Sequence, residues 1–303
     1  MSEPPLDRSH PEGGPRCSTG SAIRSESMVA TASAGRLWLL VEIASGWGWN
    51  AFTGSRSLDP EIGRALARRA QDAGYRILAI RKPGRARRAE RWRWALVDTA
   101  PGSESVRWGE VGAPEELLDA PFKPGAGTPS DDPIFAVCAH GRHDECCAVR
   151  GRRVAADLAE RYPDFTWECS HMGGDRFAAT MLLFPHGLNY GRVDHADAPF
   201  IADEYLAGRI VPAHFRGRSS LPRPEQAAQH AAMLETGDRR VDAHPTVDAV
   251  RTDEGWRVRV DGPSGELTVH LVERLGEPLY TMCTATLPVR VRHLEATSVT
   301  AQA

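Results

Sequence analysis

Cys138-Ala-His-Gly-Arg-His-Asp-Glu-Cys-Cys147 and Trp167-Glu-Cys-Ser-His-Met-Gly-Gly-Asp-Arg-Phe177 together hold four of the chain's six cysteines. They also carry His140, His143 and His171. Thiolates and imidazoles concentrated in two short segments are what a zinc or iron–sulfur site requires. Three chemistries compete for them. A thioredoxin-type dithiol needs Cys-x-x-Cys at a strand-to-helix turn, which this chain lacks, and a disulfide between the neighbours Cys146 and Cys147 would be strained. Structural zinc usually shows two closely spaced ligand pairs, and Cys138 and Cys147 are spaced more widely than that. A [2Fe–2S] cluster can be held by cysteine pairs, or with histidine replacing cysteine on one iron. Spacing alone does not choose between zinc and iron.

The elements around these groups read as a repeated α/β unit. Leu37 to Ile43 is an apolar run suited to a buried strand. Asp59-Pro-Glu61 predicts a helix start with a capping carboxylate, running to about Ala73 and ending at Gly74. Tyr75–Ile80, Trp92–Asp98 and Ser105–Trp108 read as strands. The second half repeats the order, with strands at Ile134–Cys138 and Phe165–Cys169, a helix at Arg152–Arg161 between them, and a strand pair at Phe177–Phe184 and Leu188–Val193. Two copies of a β-α-β-β-β unit are expected, each a thioredoxin-like layer in which helices flank a mixed sheet. The boundaries read as a flexible leader over 1–34, a ligand-free unit over 35–112 and a proline-rich linker over 113–132. A ligand-bearing unit over 133–236 and a small C-terminal β appendage with a loose tail over 237–303 complete the chain. Cys138 then ends a strand, and Cys147 stands at or just before a helix, both above the strand ends where ligands tend to bind.

Bulk composition narrows the function classes. Hydrophobic content of 41% and charged content of 25% suit a soluble globular chain. A net charge of −3 gives no general reason to expect nucleic acid. No apolar run is long enough to span a bilayer, and the N-terminus lacks the order of a secretory signal. Clustered cysteines in a long chain point to a reducing compartment, so a cytoplasmic protein is expected. The basic run Arg81–Arg93 reads as a solvated loop, or as a docking patch for an acidic partner.

Cys138-x-His-Gly-x-x-Asp-x-Cys-Cys147, Trp167-x-Cys-Ser-His-x-Gly-Gly-x-Arg-Phe-Ala178 and Tyr190-Gly-Arg192 resemble the sucrase/ferredoxin-like family of thioredoxin-like ferredoxins. The similarity runs from about Gly35 to Val193. It implies a [2Fe–2S] cluster in the second unit, held by two cysteines eight residues apart and by two histidines in His-x3-His. Carried over by position, these fall on Cys138, Cys147 and His171, but the second histidine position is occupied by Asp175. Asp175 could ligate through oxygen, Cys169 could supply the fourth bond, or the cluster could be lost or labile; between the two residues, softness ranks Cys169 slightly higher. Either exchange adds a negative charge relative to two imidazoles and lowers the reduction potential.

The remaining groups carry blander expectations. His140 and His143 read as solvated or hydrogen-bonded loop histidines, Asp144 as a turn-former or helix N-cap, and Cys146 as a buried neighbour or reserve thiol. Cys17 reads as a solitary exposed thiol and Cys283 as packing. The leading expectation is an electron-transfer protein working with a redox partner protein, a reductase or electron acceptor, acidic if the basic run is its dock. No nucleic-acid or membrane partner is expected. A thiol–disulfide protein and a structural zinc or metal-free scaffold are the alternatives.

Overall fold

The computed structural model describes residues 15–84 and 91–301. Helix α1 (Cys17–Ile23) precedes strand β1 (Leu37–Glu42), helix α2 (Pro60–Asp72), and strands β2 (Tyr75–Arg81), β3 (Trp92–Asp98), β4 (Ser105–Val111) and β5 (Thr128–Ser130). The order then recurs: β6 (Ile134–Cys138), α3 (Arg152–Arg161), β7 (Thr166–Cys169), β8 (Met181–Phe184), β9 (Leu188–Tyr190), α4 (Ala198–Leu206), β10 (Phe215–Arg218) and α5 (Arg223–Thr236). Strands β11 (Thr246–Arg251), β12 (Trp256–Val260), β13 (Leu267–Leu279) and β14 (Val289–Ala301) end the chain.

Local chemistry accounts for the element ends. The Asp59 carboxylate accepts from the Glu61 backbone N–H at 2.7 Å, with Pro60 at the first position of α2, where its missing N–H costs nothing. Helix α2 turns Leu66 and Ala70 onto a core shared with Leu39, Val41 and Ala79. On the opposite face of the sheet, Trp38, Leu40, Leu78 and Ile80 share a core with Cys138, Cys147 and Cys169.

Ten strands form one sheet in the order β10-β9-β8-β6-β7-β2-β1-β3-β4-β5. In the first half, β1 and β2 run parallel while β3 and β4 return antiparallel beside β1. In the second, β6 and β7 run parallel while β8 and β9 return beside β6. Each half is thus a thioredoxin-like β-α-β-β-β layer. They join edge to edge through β2 and β7, antiparallel, in a short register of Ile80 opposite Cys169 and Arg81 opposite Glu168. Both residues of each pair lie at the carboxyl ends of their strands, so the two halves meet where their loops gather.

Three expectations change. The flexible leader lies outside the described residues to position 14, but from there the chain folds onto the second half: Cys17 is buried in α1, and Glu26 is paired with Arg176 at 2.8 Å. Apolar and ion-pair contacts supplied by distant segments overcome the leader's weak local pattern. The linker is likewise packed, with Leu117, Ala120 and Phe122 in the α2 core and β5 extending the sheet. The C-terminal tail is not loose: β13 and β14 pair along almost their whole length in a four-stranded antiparallel sheet, on which α5 packs Ala227, Ala228 and Ala232. Among the described residues, no helix is long and apolar enough to cross a membrane.

Candidate metal centre

Cys138 is the last residue of β6, a strand buried at every position. Its N–H donates to the Thr180 carbonyl, and Ala139 donates to the Cys169 carbonyl, so both flanking strands hold it. The loop then tightens: the His140 carbonyl accepts from the N–H groups of His143 and Asp144, and Asp144 Oδ1 accepts from the Cys146 N–H at 2.8 Å. Asp144 therefore forms the expected turn. Cys147 opens a π-helical turn, Cys147–Gly151, that leads into α3. A Cβ at Gly151 would sit 1.9 Å from the Cys138 carbonyl oxygen, so only glycine lets this turn press against the end of β6 and bring the two cysteines together.

The second ligand segment is pinned to the first half. Ser170 donates its N–H to the Ala79 carbonyl, and its hydroxyl accepts from the Ala79 N–H at 3.0 Å. His171 comes next, with its backbone N–H donated to His140 Nδ1 at 3.3 Å. His140 Nδ1 is thus an acceptor, which leaves Nε2–H to donate to the Gly48 carbonyl at 2.7 Å. That fixes a neutral tautomer, and burial also lowers the pKa of His140. Gly174, at φ 89°, turns the chain back into the short 3₁₀ turn Asp175–Phe177, which delays β8 to Met181 instead of the expected Phe177.

The result is a convergence of Cys138, Cys147, His171 and Asp175. Asp175 Oδ1 lies 3.2 Å from Cys147 Sγ and 3.0 Å from His171 Nδ1. The Cys138 thiol lies within interaction range of both Cys147 and His171. Cys138 and Cys147 are each 1% exposed, whereas the His171 side chain is 29% exposed, so the sulfurs are sealed and the imidazole edge faces outward. Hydrogen bonds from Cys147, and then from His171, outweigh burial and pull Cys138 down to about 5. Cys147 moves up, through its bond to Cys138 and through burial. Burial opposes protonation of His171, but Asp175 and Cys138 beside it raise its pKa to about 9.

His143, expected as a solvated or hydrogen-bonded loop histidine, lies against this group. Its ring stacks on His171 at 3.8 Å between centroids, and its Nε2 lies 3.9 Å from Asp175 Oδ2. Its place four residues before Cys147 was the available signal, and nothing in the local pattern separated it from an ordinary loop histidine. Cys169 stands opposite Cys138 in the β6–β7 register and is fully buried, which holds its thiol neutral. The position facing both Cys147 and His171 is taken by Asp175.

The donor set suits a metal group. The Nδ1 of His171 and the Nε2 of His143 are buried without aligned hydrogen-bond partners, and both face the Asp175 carboxylate. Two thiols, imidazole nitrogen and carboxylate oxygen directed inward are a ligand set for zinc or iron.

The first half covers this centre. Trp47 meets His140 edge-on at 5.6 Å, and Trp49, 60% exposed, lies 5.7 Å from His143. Beside them Arg56, Arg81, Arg142 and Arg152 line a cavity of about 530 Å³. Of the basic run Arg81–Arg93, Arg81 is paired with Glu168 at 2.7 Å, Lys82 lies over Trp167, and Arg93 lies over Trp108. These three are engaged in structure, and positions 85–90 lie outside the described residues.

A profile of the sucrase/ferredoxin-like family matches residues 30–217. Two solved structures are also similar to part of the chain, both cysteine-to-serine variants of the thioredoxin-like [2Fe–2S] ferredoxin from Aquifex aeolicus. Each is 20% identical, covers 28% of this chain and 99% of that one, and superposes with a TM-score of 0.25. No curated protein matches the chain.

Proposed function

Because the chain belongs to the sucrase/ferredoxin-like family, we propose that it is a one-electron carrier whose [2Fe–2S] cluster is held by Cys138, Cys147, His171 and Asp175. The convergence of these four side chains from two separate segments carries this reading. When bound, such a cluster supplies reversible one-electron chemistry. The protein's own residues set its conditions. Buried Cys138 and Cys147 exclude water, and the Gly48 carbonyl fixes the His140 ring that receives the His171 N–H. Asp175 in place of a second imidazole adds a negative charge and lowers the potential. His143 stacks on His171 and stands next to Asp175, placed to exchange protons at the outer edge.

The redox partner is proposed to be an acidic protein that meets Arg56, Arg142 and Arg152 beside exposed Trp49. Such an encounter is steered by charge and weakened by salt. A cytoplasmic setting is supported by six cysteines with no disulfide among them.

Anaerobic purification tests the reading. Visible charge-transfer absorption with about two iron and two sulfide per chain is the expected result. Colourless protein in which zinc occupies these four residues would establish the structural alternative. Metal-free disulfide reductase activity would establish the thiol-redox one.

A further inference from the structure

We propose that Cys17, Cys146, Cys283 and Asp144 form a second metal site, separate from the first, that binds a zinc ion. Cys17 comes from α1, Cys146 from the loop before α3, and Cys283 from the hairpin connection between β13 and β14. Their sulfurs are 3.9 Å apart for Cys17 and Cys146, 3.3 Å for Cys17 and Cys283, and 3.2 Å for Cys146 and Cys283. A tetrahedral zinc with bonds of about 2.3 Å to sulfur separates its thiolates by about 3.8 Å, so the trio is already gathered on that scale.

The fourth donor is built in. Asp144 is 1% exposed, and its Oδ2 lies 3.8 Å from Cys17 Sγ. Its two oxygens accept the backbone N–H groups of Cys146 and Cys283, at 2.8 and 2.7 Å. The carboxylate therefore positions two of the three thiols while keeping lone pairs for a cation.

Ordinary packing explains this arrangement poorly. Three cysteines separated by 129, 137 and 266 positions meet around a buried carboxylate, where apolar side chains would fill the space without leaving polar atoms to desolvate. A disulfide would use two of the thiols and strand the third, whereas a thiophilic cation uses all of them. The two sites diverge at neighbouring residues: Cys147 turns to Cys138 and Asp175, and Cys146 turns to Cys17 and Cys283. Zinc here would staple the leader helix and the C-terminal hairpin onto the loop that carries the first centre. The proposal is independent of which metal group the first centre holds.

The test uses the full chain, purified anaerobically, with Zn²⁺ as the probe. Zinc is counted by mass spectrometry, and its affinity is measured against a chromophoric chelator, in the wild type, in Cys138→Ser/Cys147→Ser and in Cys17→Ser/Cys283→Ser. About one tightly held zinc should persist in the first variant, and the second should bind at least tenfold more weakly. Zinc retained undiminished in Cys17→Ser/Cys283→Ser, or lost with Cys138→Ser/Cys147→Ser, would overturn the assignment. A second measurement on the folded wild type removes dependence on the variants. Zinc should protect Cys17, Cys146 and Cys283 together from alkylation, and chelation should expose all three. Equal labelling with and without zinc, or a disulfide among the three in freshly isolated protein, would sink the proposal.

Discussion

The two halves of the ten-stranded sheet share a strand order and differ in the loop after their first strand. Behind β1 comes Gly46-Trp-Gly-Trp49, and behind β6 comes the loop from Ala139 to Cys146. Equivalent positions in one topology thus carry indoles in one half and candidate metal donors in the other. The way the halves join explains the division. Since β2 and β7 pair antiparallel only through the ends of their strands, the carboxyl-end loops of both halves are drawn to the same seam. There the tryptophan loop packs on the histidine loop, and Gly48 accepts from His140. A half without ligands is therefore part of the centre, as its cover and as the anchor of its second segment through Ala79 and Ser170.

The broadest way to break this comparison is to remove a thiol from the ligand-bearing half. Cys138→Ser should abolish cofactor assembly entirely, read as loss of visible absorption and of bound iron. Cys169→Ala should keep both. A coloured Cys138→Ser protein would mean that the two halves do not divide the work as described.

The covering half is tested next, by its two tryptophans. Trp47 is 6% exposed, donates Nε1–H to the Ile43 carbonyl at 3.0 Å and lies beneath Arg81. Trp47→Ala should cost about 3 kcal/mol in urea unfolding and speed bleaching of the cofactor in air. Trp49→Ala, at an exposed position, should change stability by less than about 0.5 kcal/mol. Equal effects from the two would show that the loop is not a seal.

Much of this arrangement is legible in the sequence. The strands at Trp92–Asp98 and Ile134–Cys138 and the helix at Arg152–Arg161 fall where the apolar pattern puts them. Cys138 at the end of β6 and Cys147 at the start of the turn into α3 also stand where the local pattern puts them. The rest depends on long-range contacts. Cys17 and Cys283 look ordinary in sequence because their partners lie more than a hundred residues away. The roles of Trp47 and Gly48 arise from the β2–β7 seam, which no periodicity encodes. Softness alone favours Cys169 over Asp175, whereas the fold sets Asp175 against Cys147 and His171 through the Gly173–Gly174 turn.

That choice gives a sharper test within the ligand-bearing half. Asp175→His exchanges a carboxylate for a neutral imidazole and should raise the reduction potential by on the order of 100 mV. Voltammetry and electron paramagnetic resonance of Asp175→His and Cys169→Ala separate the candidates. If Cys169→Ala shifts the potential and Asp175→His leaves it unchanged, Cys169 is the fourth ligand.

The smallest effect concerns the metal-free protein, in which the second half must hold its ligands together unaided. His171 has its pKa raised from 6.5 to about 9: burial works against its charge, and Asp175 and Cys138 overcome that opposition. A folded-state pKa above the unfolded value means that the folded state binds the extra proton. The contribution is then complete below pH 6.5 and fades as pH rises through about 9. In chelated protein, the stability gap between wild type and His171→Gln should shrink from roughly 2 kcal/mol at the acid end of that window to near zero beyond its alkaline end. Urea unfolding across the window measures the gap. A gap independent of pH would mean that His171 is held by packing, and that the charges around it do not preorganise the site before metal arrives.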